Sequence, residues 1–193
     1  MNRKLTVKDL IVAGAFAALY LVVMLIVVMG AGFIPILLLS LPLILSVVCG
    51  PIYMLYVTKV PKRGAVLILS ILTGLVMLSS GMWFVMLYAL LCGIVAEVLI
   101  AAGKYDSTKC FRASYCAFSC IHVGPLLGLV FAKDIVMANS LSYYGPGYVE
   151  RLSALTPSWI ILVLLALAVI GGLIGGAAGS RLLKKHFVKA GIV

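Results

Sequence analysis

Two ionisable residues fall inside long apolar runs of this sequence, His122 and Glu97, and any chemistry within those runs has to start from them. Ionisable groups are costly inside a bilayer, so they face neighbouring helices or a cavity. At about 100° per residue, Trp83, Met86, Leu90 and Glu97 share one helical stripe, and Tyr88 points away. Trp83 then reads as an inward-facing aromatic at the outer end of its helix, able to line a ligand cavity, or as an interfacial belt tryptophan. Glu97 lies near the opposite end and is expected to pair with a basic residue or a helix backbone rather than with a substrate. The same arithmetic puts Tyr115, Phe118, Ser119, Leu126 and Leu129 on the face of His122. This histidine could hydrogen-bond a substrate, ligate a haem iron, or be a core residue bonded across helices. Cys116 and Cys120 point away from it, so no zinc centre is expected.

Other chemistries lack their residues. There is no Ser/His/Asp grouping, no H-E-x-x-H and no acidic pair, so the chain is not expected to be an enzyme. No repeated filter or ring of charge suggests an ion channel. No Walker A motif is present, so an ATP-driven step would need a partner. Five cysteines give no disulfide framework. Four of them sit in apolar runs, where cysteine behaves as a small hydrophobe.

The elements that hold these residues are membrane spans. The 193 residues are 65% hydrophobic and 10% charged, where a soluble domain carries roughly a quarter charged residues. The expected fold is a single membrane domain, residues 1–193, all-α, with six transmembrane helices. A helix needs about 20 apolar residues to cross. The spans read 10–29, 34–58 with a kink at 50–51, 64–78, 82–102, 112–131 and 157–179. The second could instead stop at Cys49. Met1–Lys4 could open a signal peptide, yet the apolar run is too long for one and no cleavage site follows.

Six spans put both termini on one side. Thirteen of the fifteen Lys and Arg residues fall on that side, leaving Lys133 and Arg151 on the other. Positive-inside then places both termini in the cytoplasm of a multi-pass cell-membrane protein. Basic residues lying between apolar spans are topology signals, so no nucleic-acid partner is expected. The loop 132–156 falls outside. It carries Asn139, Tyr143, Tyr144 and Tyr148, and Trp159 follows it. A loop this long is often a lid or binding loop; its aromatics could equally anchor at the interface. Glycines at 171, 175 and 179 form one ridge and Gly172 with Gly176 a second, as close helix packing requires. Ala13/Ala17 and Gly14/Ala18 are also four apart, and serve either a docking helix or the chain's own packing.

Four segments carry a resemblance over essentially the whole length. They are Leu5–Leu10 leading into Gly14–Tyr20, Gly50–Tyr53 followed by Lys59–Lys62, Gly93–Glu97, and the tail Lys184–Gly191. The chain resembles the substrate-binding S component of energy-coupling factor (ECF) transporters, in particular the Trep_Strep or MptE-like subgroup. The resemblance implies an ECF S-component-like bundle working with a transmembrane coupling subunit (T component) and two ATPases. It implies contact with the coupling subunit through Ala13, Gly14, Ala17 and Ala18. It also implies an outward-facing ligand site, which maps to Trp83, Met86, His122, Asn139, Tyr143, Tyr144, Tyr148 and Trp159. The transported ligand would be a vitamin or haem, with His122 as an iron ligand in the second case and no intrinsic cofactor. Delivery would proceed by toppling in the lipid bilayer, driven by the partner ATPases. The alternatives are a stand-alone small transporter or channel and, more distantly, a membrane enzyme using His122 and Glu97.

Overall fold

Each helix begins where the sequence supplies a starting signal. Thr6 caps the first, accepting from the Asp9 amide, and the Asp9 carboxylate reaches back to the Thr6 amide at 2.7 Å. Lys62 completes the corner by pairing with Asp9. Helix α1 then runs Val7–Ala31 and buries one stripe, Ala13, Ala17, Tyr20 and Met24. In this computed structural model, residues 5–187 are described. Arg3, Lys4 and Lys189 of the charge count, and Val188–Gly191 of the tail motif, lie outside the described residues.

Helix α2 is continuous from Pro35 to Lys59 and passes through Pro42 and Pro51, without a stop at Cys49. Proline is tolerated inside membrane helices. Between the two prolines Tyr115 Oη donates to the Ser46 carbonyl, and Ser46 Oγ to that of Pro42. Helix α3, Ala65–Met77, follows Gly64 in the left-handed region and tightens into a 3₁₀ turn, Leu78–Ser80, closed by left-handed Gly81. Helix α4 is Phe84–Ala102 and α5 is Thr108–Ser119. The chain continues as 3₁₀ helix over Cys120–Leu127 and one α-turn, α6, Gly128–Phe131. Pro125 explains that change, since it cannot donate to the Ile121 carbonyl.

Among the described residues five helical stretches are long and apolar enough to cross a membrane: α1, α2, α4, Thr108–Phe131 and the last, Ile160–Lys185. The sixth expected crossing is the short stretch Ala65–Ser80. The protein is therefore an all-α integral membrane protein whose count of long crossings is five rather than six. Large apolar side chains such as Val22, Ile26, Leu91, Val98, Leu162 and Leu173 stay exposed on these helices, as lipid-facing residues do.

The expected loop 132–156 is helical. It forms α7, Lys133–Tyr144, and α8, Pro146–Leu155, broken at Gly145-Pro146. Leu152 of α8 is fully buried in a cluster with Val123 and Leu164. The two short helices thus cap one end of the bundle. Among the described residues the other end carries the basic residues apart from Lys133 and Arg151.

Helix α9, Ile160–Leu182, lies between α2 and α5 because it has two glycine faces. A Cβ at Gly171 would meet the Leu43 carbonyl of α2 at 2.7 Å, and one at Gly179 would meet Met54 at 2.7 Å. A Cβ at Gly172 would overlap Ser119 of α5. The core beside this contact is aromatic: Tyr53 sits 4.8 Å from Tyr115 and 4.9 Å from Phe118, centroid to centroid. Tyr53 Oη donates to Ser114 Oγ, which donates to the Ala96 carbonyl.

Candidate ligand-binding site

The buried stripe of α1 brings Tyr20 to His122. Their side chains meet at 2.9 Å, Tyr20 Oη to His122 Nε2, and the rings lie nearly parallel. The other ring nitrogen, Nδ1, is 3.1 Å from Ser46 Oγ of α2. Ser46 has committed its proton to the Pro42 carbonyl, so Nδ1 carries the imidazole hydrogen and Nε2 accepts from Tyr20. Both nitrogens of a buried, neutral imidazole are thereby satisfied. Of the residues assigned to the face of His122, Tyr115 bonds to the Ser46 carbonyl, Phe118 packs on Tyr20 and Leu126 lies beside the histidine, whereas Ser119 turns to the Ala168 carbonyl of α9 and Leu129 packs with Leu152 and Leu164. Tyr20→Phe leaves Nε2 without a partner in an apolar core. The expected loss is about 1–3 kcal/mol, measured as a lowered melting temperature of the purified protein.

His122 also lines a cavity of about 250 Å³. Its walls come from Met24 and Val28 of α1, Leu38 and Leu45 of α2, Met77 of α3, and Ser79 and Ser80 beyond it, with Pro125 and Leu126 beside the histidine. The cavity exists because α3 is short. Thirteen α-helical residues rise about 20 Å, against roughly 30 Å of hydrocarbon. The 3₁₀ turn and Gly81 then lead the chain into α4, and space remains beneath the cap. The lining carries no Asp, Glu, Lys or Arg. Its polar groups are His122 and two serines, and Ser80 Oγ is buried with no hydrogen-bond partner. Thr73 Oγ1, on the same stripe as Met77 and Ser80, is buried and unpartnered as well.

Of the eight residues expected at a ligand site, His122 alone lines this cavity. Trp83 is 73% exposed, because the buried stripe of α4 runs through Val85, Ala89, Cys92 and Ala96 instead. Met86 is half-buried between α3 and α4, its sulfur placed where a Cβ on Gly74 would go. Asn139 is exposed on α7, and Tyr143 and Trp159 are 82% and 61% exposed. Tyr144 and Tyr148 stack at 4.5 Å and line a separate open groove of about 370 Å³ with Phe33, Pro35 and Arg151. Tyr148 Oη donates to the Gly32 carbonyl at 2.9 Å, tying α8 to the α1–α2 turn. Burial and the neighbouring Tyr144 push its hydroxyl up from the ordinary tyrosine range, so it remains a donor. Met24, Met77 and Ser80 were missed. The signal for them was the short third span ending in Ser79-Ser80-Gly81.

Haem, the ligand suggested by a mid-membrane histidine, meets two obstacles. Tyr20 occupies Nε2 and Ser46 faces Nδ1, so iron would have to displace one of them. A four-pyrrole macrocycle also exceeds a space not twice the ~150 Å³ that holds a benzene.

The small-residue face of α1 divides. Ala13 and Ala17 are buried against the chain's own helices, which removes them from an external docking surface. Gly14 and Ala18 are exposed, and a Cβ on Gly14 would meet nothing within 4 Å. Glu97 serves structure. Its carboxylate accepts from the Gly64 amide at 2.7 Å, the Val66 amide at 3.1 Å and Tyr105 Oη at 2.9 Å, closing the N-terminus of α3.

Over residues 7–189 the chain matches the family model described as hypothetical bacterial integral membrane protein (Trep_Strep), and it belongs to that family. No curated protein and no solved structure matches it.

Proposed function

We propose that this member of the Trep_Strep family is the substrate-binding membrane subunit of an ECF-type importer. The observation that carries the reading is the cavity at His122. It is lined by five elements and lies toward the α7–α8 cap, away from the basic end. With the basic end in the cytoplasm, the cavity faces outward, where an importer must capture its solute. The chain has no ATP-binding motif, so energy enters through a transmembrane coupling subunit and two ATPases. The protein binds a small cofactor-like molecule and turns it over to the cytoplasmic side by toppling in the cell membrane. It performs no reaction on its ligand.

Gly14 and Ala18 are the residues of the small face left open for the coupling subunit. Small residues permit close backbone approach between helices in lipid. A Gly14→Leu, Ala18→Leu double variant is expected to fold normally, because these positions face outward. Uptake in cells should fall at least tenfold while ligand binding to the purified subunit stays unchanged. Copurification of the wild type with a coupling subunit and ATPases, lost in the variant, is the direct test. Unimpaired uptake by the variant would reject the docking assignment. Uptake by the protein alone in liposomes, without ATP, would make it a self-sufficient transporter.

A further inference from the structure

The geometry points to an uncharged, compact ligand of one or two fused rings, seated with a single polar edge on Ser80 and its apolar body between Met24 and Met77. This rests on the cavity being the substrate site. Three observations set the class.

The first is charge. No acidic or basic side chain lines the cavity. The histidine that does line it has both nitrogens engaged in neutral hydrogen bonds, so it offers no countercharge. Burying an unpaired carboxylate, phosphate or ammonium in such surroundings is strongly unfavourable. Ionised ligands are therefore rejected.

The second is size. About 250 Å³ exceeds the ~150 Å³ that holds a benzene and falls below the roughly 300–1,000 Å³ of sites for drug-sized molecules. One ring or a fused pair fills it. Met24 and Met77 present flexible, polarizable side chains that adapt to a flat ring and make favourable sulfur–aromatic contacts.

The third is the unpaired hydroxyl. Buried polar atoms in folded proteins are almost always hydrogen-bonded, and an exception calls for a reason. Ser80 Oγ is such an exception, on a residue that lines the cavity. A ligand with one hydrogen-bonding edge supplies the missing partner once the Ser80 hydroxyl turns toward the cavity, and is held in one orientation by it. Thr73 Oγ1 lies on the same stripe two turns deeper and shares the lack of a partner.

The test uses the full chain in lipid nanodiscs and three probes of one shape: 2-naphthol, naphthalene and 2-naphthoate, each titrated against empty nanodiscs as background. Saturable one-to-one binding of 2-naphthol is expected, at least tenfold tighter than 2-naphthoate. Ser80→Ala removes an oxygen that has no partner in the protein, so it should fold as the wild type does. It should weaken 2-naphthol about fivefold and leave naphthalene unchanged. Met77→Trp, which fills the cavity, should abolish binding of both. Equal or tighter binding of the anion would overturn the ligand class, as would indifference of 2-naphthol to Ser80→Ala. Stoichiometric capture of haem, seen as a Soret band lost in Met77→Trp, would also overturn the class and leave the substrate-binding reading standing. Failure of every probe and of haem to bind saturably would overturn both.

Discussion

Gly175→Leu is expected to abolish the folded protein. Gly175 of α9 faces the backbone of α2 without an intervening side chain. A Cβ there would overlap the Ser46 carbonyl oxygen and lie 3.1 Å from that of Val47. The opposing Gly50 is equally tight, since a Cβ on it would collide with the backbone of Gly175. Neither contact is with the far end of a flexible side chain, so neither can yield locally. The helices must separate, and Gly171 and Gly179 then lose their contacts with α2 as well. In lipid that separation is not opposed by a hydrophobic driving force, so packing is what holds the helices together. A single overpacked methylene in a core typically costs about 1–3 kcal/mol. A whole leucine side chain against backbone should exceed that several-fold and consume most of a typical ~5–15 kcal/mol stability. The expected readout is loss of the monodisperse peak in size exclusion, or a melting temperature lowered by more than about 10 °C. Gly14→Leu is the control. It adds the same side chain to α1 where a Cβ meets nothing within 4 Å, and the melting temperature should hardly move.

That contrast shows which parts of the fold were legible in the sequence. The glycine ridges at 171/175/179 and 172/176 were readable because a glycine in an apolar helix has few uses besides close approach. The face of His122 was readable because helical periodicity survives a short 3₁₀ stretch well enough to keep Tyr115, Phe118 and Leu126 beside it. The stripe on α4 failed at Trp83 because it was drawn through Glu97, which lies at one edge of the buried face; that face runs through Val85, Ala89, Cys92 and Ala96, on the other side of the helix from Trp83. The pair of short helices α7 and α8 was hidden because their sequence mixes polar and aromatic residues without a strong apolar stripe, and only Leu152 is buried. The cavity was hidden for a different reason. It is made by what is missing, a helix too short to fill its layer, and its walls are leucines and methionines that look like any membrane core. Single-residue signals pointed to aromatics near the ends of spans, which the structure leaves largely exposed.

Glu97→Ala is expected to unfasten α3 from α4 and destabilise the basic end of the bundle. The carboxylate holds three donors at once: the Gly64 amide, the Val66 amide and the Tyr105 hydroxyl. The two amides belong to the first turn of α3, where backbone N–H groups have no partner within the helix. They also carry the positive end of its dipole, which favours an anion. Tyr105 is held in the left-handed region, as is Lys104 before it, a conformation costing about 1–3 kcal/mol for a non-glycine residue. The hydrogen bond to Glu97 is one of the contacts that fixes this turn. Removing the carboxylate leaves buried donors unsatisfied, each costing about 1–3 kcal/mol, more for bonds to a charged group. Summed over three donors, the loss should reach about 3–5 kcal/mol. Glu97→Gln separates charge from shape, since its amide oxygen can still accept while its NH₂ faces a donor. It should lose about half as much. Hydrogen exchange gives the local readout: amides 64–68 and 103–106 should exchange faster in Glu97→Ala, while those of α9 beside Gly171 and Gly175 stay protected. Uniform acceleration across all helices would mean that Glu97 supports the whole bundle rather than this corner. Because α3 also carries Met77 and leads into Ser80, loosening its start is expected to reach the cavity. Binding of 2-naphthol should then weaken in Glu97→Ala without any change at a residue that touches the ligand.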